Sequence, residues 1–293
     1  GLPTIEEDEI GEATAGLLAD YAGLSEAQRA AGERALLSIK VCDPAAGSGH
    51  FLVRANNALG AELARQFASK GRRLALCPRR GERLETLQRE LQSRYPDIRV
   101  AIRTLDVYQH EQVFEVFQAL HRELGGLDRV IVNAGIGRGA SIGTGHFRAN
   151  RQTAMTNFVA ALAQCEAAME LFRKQNSGHL VVISSISAVR GMRRALTTYA
   201  ASKAAVSSLA EGIRLDVLST PIAVSTIHPG FIRTEINERV KNAPFMVDVE
   251  TGCRAIVKAI ERERANAFVP FWPWALLQRV MRAAPLALLR RFS

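Results

Sequence analysis

Between about residue 38 and residue 270, short β-branched runs alternate with longer stretches of helical period, and this alternation limits the possible folds severely. The predicted strands cover residues 38–42, 73–77, 98–102, 129–132, 179–183 and 222–227, with a short seventh near 267–269. Helices are predicted up to about residue 70 and at 82–92, 111–124, 156–172 and 199–218. Strands separated by helices of this length are joined by crossovers, which makes neighbouring strands parallel. The expectation is an α/β fold, a doubly wound parallel sheet with helices on both faces. The runs 130–132 and 181–183 are apolar without alternation, as suits strands buried on both sides. Such sheets bind ligands beyond the carboxyl ends of their strands. Asp43, Arg79, Asp106, Asn133 and Ser185 all fall at those ends.

The chain has 293 residues, 47% of them hydrophobic and 23% charged, within the range of an ordinary globular protein. Cys42, Cys77, Cys165 and Cys253 form no C-x-x-C pair, so no metal site is predicted. Cys42 and Cys77 lie in strand-like runs and read as buried free thiols, which fits a reducing cytoplasm. The net charge of +9 is uneven. Glu6, Glu7, Asp8, Glu9 and Glu12 make the beginning acidic, in a segment (1–37) that reads as two amphipathic helices. Ser25 and Gln28 form a capping box for the second. From Arg264 to the end there is no acid. Such a balance belongs to a moderately basic soluble enzyme, and no nucleic-acid partner is expected.

Phe271-Trp272-Pro273-Trp274 opens a third segment, 271–293, an apolar helix that carries Arg279, Arg282, Arg290 and Arg291. It fits a peripheral membrane contact, a lid over a cleft or a dimer contact. No apolar stretch approaches the ~20 residues of a spanning helix. No secretory signal opens the chain. Gly1 rather than Met stands first, as in a processed chain or a piece of a longer reading frame. A cytoplasmic location is expected, with membrane association left open.

The chemistry-bearing residues cluster in the second half. Tyr199 and Lys203 lie four apart, on one face of a predicted helix. An ammonium beside a phenol favours the phenolate and lowers a pKa otherwise near 10. Such a Tyr can trade a proton with an alcohol or ketone near neutral pH. Taken alone the spacing is common, and it gains weight from its surroundings. Asn133-Ala134-Gly135 follows the fourth strand, Asn157 lies on the next helix, and Ser185 ends the fifth strand. His228-Pro229-Gly230-Phe231-Ile232-Arg233-Thr234 follows the sixth.

In this order, from about residue 58, these elements resemble the short-chain dehydrogenase/reductase family. The resemblance implies a Rossmann-like sheet and hydride transfer between a nicotinamide dinucleotide and a small carbonyl or alcohol substrate. It implies that Tyr199 is the general acid, Lys203 lowers its pKa and binds the nicotinamide ribose, and Ser185 stabilises the substrate oxygen. Asn157 would hold a water linking Lys203 to solvent. Cofactor contacts would come from Gly60, Asp106, Val107, Asn133, Ala134, Gly135, Tyr199, Lys203, Pro229, Gly230, Ile232 and Thr234. Family members commonly form dimers or tetramers, so a homo-oligomer is expected. The substrate pocket would draw on residues 136–147 and 231–245.

Charge bears on the choice of cofactor. The second strand ends Cys77-Pro78-Arg79-Arg80, with no acid to grip the ribose hydroxyls of NAD. Arg79 suits a 2′-phosphate, so NADP is expected over NAD.

The family's glycine-rich loop is altered. Counting back from Gly60, Arg54 and Ala58 stand where the first two glycines belong. Glycines there let backbone N–H groups approach a pyrophosphate, and a bulky Arg obstructs it. Upstream, Asp43-Pro44-Ala45-Ala46-Gly47-Ser48-Gly49-His50-Phe51 resembles the S-adenosylmethionine loop of adenine-specific DNA methyltransferases. That resemblance covers about residues 1–65 and implies a fusion, in which Gly47 and Gly49 could meet a nucleotide-like ligand. The Asp/Asn-Pro-Pro-Tyr/Phe element of those enzymes is absent, which excludes methyl transfer.

Two geometries compete for the opening of the sheet. In one, 39–42 is the strand and a single helix runs from 50 to 70, supported by Leu52, Ala55, Leu59, Leu63 and Phe67 at helical spacing. In the other, 51–53 is the strand and Asn56-Asn57 the turn. The helical period favours the first. Functionally, an NADP-dependent oxidoreductase stands against an impaired fusion with a damaged cofactor loop and a nonenzymatic S-adenosylmethionine-binding fragment.

Overall fold

The computed structural model describes residues 50–53, 57–77, 82–234 and 243–292. Seven strands form one parallel sheet: β1 (His50–Val53), β2 (Arg73–Leu76), β3 (Val100–Ile102), β4 (Arg129–Val132), β5 (Gly178–Ile183), β6 (Ile222–Pro229) and β7 (Asn266–Val269). Their order across the sheet is β3-β2-β1-β4-β5-β6-β7. The chain reverses direction of travel between β1 and β4, which opens the crevice where such sheets bind ligands. The predicted doubly wound, Rossmann-like sheet is therefore observed.

Helices α1 (Ala58–Ala68), α2 (Glu82–Arg94) and α3 (His110–Leu124) make the first three crossovers. After β4 come α4 (Phe147–Ala154), a π-helical turn (Met155–Val159) and α5 (Ala160–Gln175). A 3₁₀ turn (Ile186–Val189) and α6 (Leu196–Asp216) follow β5, and α7 (Val249–Glu261) precedes β7. The chain then forms α8 (Phe271–Ala283), kinked at Trp272, and α9 (Leu286–Phe292).

Two apolar layers hold the sheet. Leu52, Ala75, Val130, Val132, Leu180 and Val182 face one cluster, backed by Phe117 of α3 and Phe172 of α5. Phe51, Leu74, Leu76, Ile131, Val181 and Ile183 face the other, backed by Leu63 and Phe67 of α1 and Ile256 and Ile260 of α7. Successive strand residues thus alternate between two cores, and the unbroken apolar runs follow from this.

The favoured geometry of the opening is corrected. No helix runs from 50 to 70: residues 50–53 are β1, with Leu52 opposite both Ala75 and Val130. Leu52 packs in one core, whereas Leu59, Leu63 and Phe67 pack in the other. Their helical spacing in sequence therefore joins side chains that pack on opposite faces of the sheet. Asn57 breaks the series by capping α1, its side chain accepting from the Gly60 N–H at 2.8 Å. Residues 39–42 lie outside the described residues, as do the helices predicted in 1–37.

The amino ends of the strands bury a polar network. Arg129, 6% exposed, donates from Nε to His179 Nδ1 at 2.7 Å. Its two terminal nitrogens donate to Glu261 at 3.2 Å and Glu263 at 3.1 Å. Its guanidinium also lies 4.5 Å from the centroid of the Phe51 ring.

Candidate active site

At the carboxyl ends of β4, β5 and β6, three segments converge. Ser185 leaves β5 in extended conformation and opens the 3₁₀ turn, its hydroxyl accepting from the Ser187 N–H at 3.1 Å. The Tyr199 phenol lies near enough to the Ser185 hydroxyl for the two to interact electrostatically. Lys203, one turn further along α6, is buried, and its Nζ donates to the Ile183 carbonyl at 2.8 Å. Helix α6 is locked to the strand end by Ser184, whose hydroxyl donates to the Lys203 carbonyl at 2.9 Å.

Asn157 reaches the same place from the π-helical turn. Its Oδ1 accepts from the Ile136 N–H at 2.8 Å, and its Nδ2 donates to the Ile136 carbonyl at 3.0 Å and to Ser202 Oγ at 3.1 Å. A π turn offsets the helix by one residue, which is how such turns re-aim side chains at sites. Gly135 closes the cluster: a Cβ there would lie 3.3 Å from Lys203 Nζ and 3.7 Å from Asn157 Oδ1. The backbone after β4 therefore meets both side chains at close range.

Burial governs the electrostatics. It pushes the Lys203 ammonium down from 10.5 to about 8. Burial also raises the Tyr199 phenol above 10, opposed by the nearby Ser185 hydroxyl. Lys203 Nζ donates to the Ile183 carbonyl in this structure, and the lowering of the Tyr199 pKa by Lys203 stays an expectation. His228, on β6, donates from Nδ1 to the Ser185 carbonyl at 3.3 Å and stacks on Phe268 with centroids 4.6 Å apart. Burial lowers its pKa, so it is a neutral support for the Ser185 backbone.

The cofactor-side residues are placed as follows. Gly60 is buried on α1, and Asn133 donates from Nδ2 to Asn57 Oδ1 at 3.3 Å, tying the end of β4 to the start of α1. Asp106 accepts from the Tyr108 N–H at 3.2 Å, while Val107 is fully buried in the core. Ala134 is buried beside Asn133. Pro229 ends β6, Gly230 follows, Ile232 is buried and bridges to Val247, and Thr234 donates to the Ile232 carbonyl at 3.4 Å. Gly47, Gly49 and Arg79 lie outside the described residues. A groove of about 350 Å³ between α3 and α5, lined by Gln118, His121, Arg122, Leu171, Lys174 and Gln175, lies elsewhere and holds none of the set.

Three contributors escape the sequence reading. Asn57 and Ser202 act through partners far along the chain. Trp274 of α8 is 3% exposed, with its indole against Gly230 and edge-on to Phe231 at 5.7 Å. Aromatic density at 271–274 was the available signal for Trp274, but nothing in it names Gly230.

This geometry agrees with the sequence comparisons. The short chain dehydrogenase family profile matches residues 51–244. An uncharacterized oxidoreductase of Mycobacterium tuberculosis is 51% identical over 239 residues, covering 82% of this chain and 94% of its own. The fold is shared with levodione reductase (TM-score 0.69, 21% identity, 77% of this chain and 97% of that one). It is also shared with the NADPH-dependent 3-quinuclidinone reductase of Rhodotorula rubra (TM-score 0.65, 23% identity, 75% and 88%). The chain belongs to the short chain dehydrogenase family, oxidoreductases whose members bind NAD(P). The match begins at Phe51, within β1 (His50–Val53) and ahead of α1 (Ala58–Ala68), and the methyltransferase-like residues 1–49 lie outside the described residues.

Proposed function

We propose that the chain is an NADP(H)-dependent reductase or dehydrogenase of small carbonyl or alcohol substrates. The observation that carries the reading is the convergence of Tyr199, Ser185, Lys203 and Asn157 at the carboxyl ends of β4 and β5. Fit to a dinucleotide is supported by the first turn of α1, which has no acid, and by the Gly135 backbone, which passes Lys203 at close range. When bound, the dinucleotide supplies or accepts the hydride. Asn133, Gly135, Lys203 and the 229–234 segment would hold it, with Arg79 toward a 2′-phosphate.

The chain's own part is proton management. The Ser185 hydroxyl and the Tyr199 phenol converge on the place of a substrate oxygen, where two donors stabilise developing negative charge. Tyr199, kept protonated by burial, gives its proton to that oxygen. Lys203 would restore it once its ammonium turns from Ile183 toward the phenol, and Asn157 holds the backbone beside that path. The NADPH dependence of the 3-quinuclidinone reductase that shares the fold and the acid-free end of β2 favour NADP. A second reading, a family member with a weak hold on its cofactor, is favoured by Arg54 and Ala58 at the glycine positions. The same proposal keeps residues 1–37 and 271–293 as segments outside the dinucleotide domain.

Titration of NADPH, NADH and S-adenosylmethionine, followed by turnover on a ketone panel, tests it. NADPH should bind more tightly than NADH, and Tyr199→Phe should lower turnover by at least about 100-fold with the NADPH affinity unchanged. Binding of neither nicotinamide at millimolar concentration would overturn the proposal. NADPH binding only near millimolar would support the second reading.

A further inference from the structure

Helices α8 and α9 present a surface that oxidoreductase chemistry does not use. Phe271 is 76% exposed, Trp272 70% and Leu286 72%. Along α8, Leu276, Arg279, Val280 and Ala283 are exposed and recur at steps of three and four, so they share one face. Trp274 on the other side of the helix is buried against Gly230 and anchors it to the body. The helix is therefore held by one face while the other offers large apolar side chains to the surroundings.

The charge here has a single sign. After Glu263 the sequence contains no acid. Arg279, Arg282 and Arg290 are exposed on the two helices. Arg190 donates to the Arg282 carbonyl, and Arg193 donates to the Arg290 carbonyl at 3.0 Å, bringing two more guanidinium groups beside them.

We propose that α8 and α9 form an interfacial anchor that docks the protein on a bilayer containing anionic lipid. Such a surface satisfies both properties at once. The acyl boundary takes Phe271, Trp272, Leu276 and Val280, and the headgroups take the arginines. A second copy meeting this face on itself would bring arginines onto arginines in a partly dry interface, which is unfavourable. Nucleic acid would match the charge but leave the apolar side chains without an apolar phase. The helices lie on the membrane rather than cross it, since no helix among the described residues is long and apolar enough to span one.

The full chain is to be sedimented with phosphatidylcholine vesicles and with vesicles of phosphatidylcholine and phosphatidylglycerol. Binding is expected to the mixed vesicles, weakened by salt, and absent or much weaker with phosphatidylcholine alone. Leu276→Glu should lower the partition at least about tenfold, and Arg279→Gln about fivefold, each with an unchanged melting temperature because both side chains are exposed. Failure of the wild type to bind the mixed vesicles, or equal binding to both kinds, overturns the proposal. So does a dimer in sedimentation velocity that Leu276→Glu dissociates while vesicles stay unbound.

Discussion

Both ends of the sheet bury ionisable side chains, and they treat them oppositely. At the amino ends, Arg129 meets an imidazole and two carboxylates, one for each nitrogen of its guanidinium. Burial pulls its pKa down while Glu261 and Glu263 oppose the shift. At the carboxyl ends, Lys203 is as deeply buried, but its ammonium donates to the Ile183 carbonyl and no carboxylate among the described residues compensates it. Its pKa falls to about 8. A compensated buried charge fixes architecture, whereas an uncompensated one is poised to exchange a proton near neutral pH.

The largest effect that could break this contrast is at Arg129. Arg129→Ala should destabilise the fold by about 3–5 kcal/mol, because it strands partly buried carboxylates. Urea unfolding measures it, and a loss within about 0.5 kcal/mol would make the network ornamental. Activity per folded molecule should be unchanged.

Lys203 should behave in the reverse sense. Its folded pKa lies below its unfolded one, so the unfolded chain binds the extra proton between about pH 8 and 10.5, and stability rises with pH across that window. A shift from 10.5 to about 8 corresponds to roughly 3 kcal/mol of destabilisation below pH 8. Lys203→Met should therefore raise stability at pH 7 by up to about 3 kcal/mol, with the gain gone above about pH 10.5, while turnover collapses. A variant less stable than wild type at pH 7 would show that Lys203 is compensated after all.

The smallest effect sharpens the other end. His179 accepts from Arg129 and passes its own N–H to Ser225 Oγ at 2.7 Å, so it is neutral. Desolvation and Arg129 hold its pKa well below 6.5. Stability should then fall as pH drops below about 6.5, by about 1.4 kcal/mol per pH unit for this one proton. Acid unfolding of His179→Gln, compared with wild type, should lack that component.

Sequence patterns reported much of this, and where they stopped has a physical cause. Parallel order follows from helix-length crossovers, and the residues that meet at Tyr199 lie in short motifs at strand ends. The first strand was misread because Leu52 falls by chance into the helical spacing of Leu59, Leu63 and Phe67. Pairing with β2 and β4 decides its identity, and pairing is not local. The Arg129 network likewise joins β4 to the end of α7, and no spacing rule links residues so far apart. The i,i+4 spacing of Tyr199 and Lys203 also says nothing about the Ile183 carbonyl, far back in the chain, to which Lys203 donates.

Gly230 and Trp274 have a consequence for how this protein can vary. A Cβ at 230 would stand 2.0 Å from the Trp274 indole nitrogen. The two positions draw on one volume, so a side chain can be gained at the first only by giving up the ring at the second. Remodelling the cleft from the 229–234 loop alone will meet this obstacle, and paired exchange offers the way around it. Position 230 and helix α8 are thus tied to each other, and a chain shortened before Trp274 would leave Gly230 without the ring that covers it.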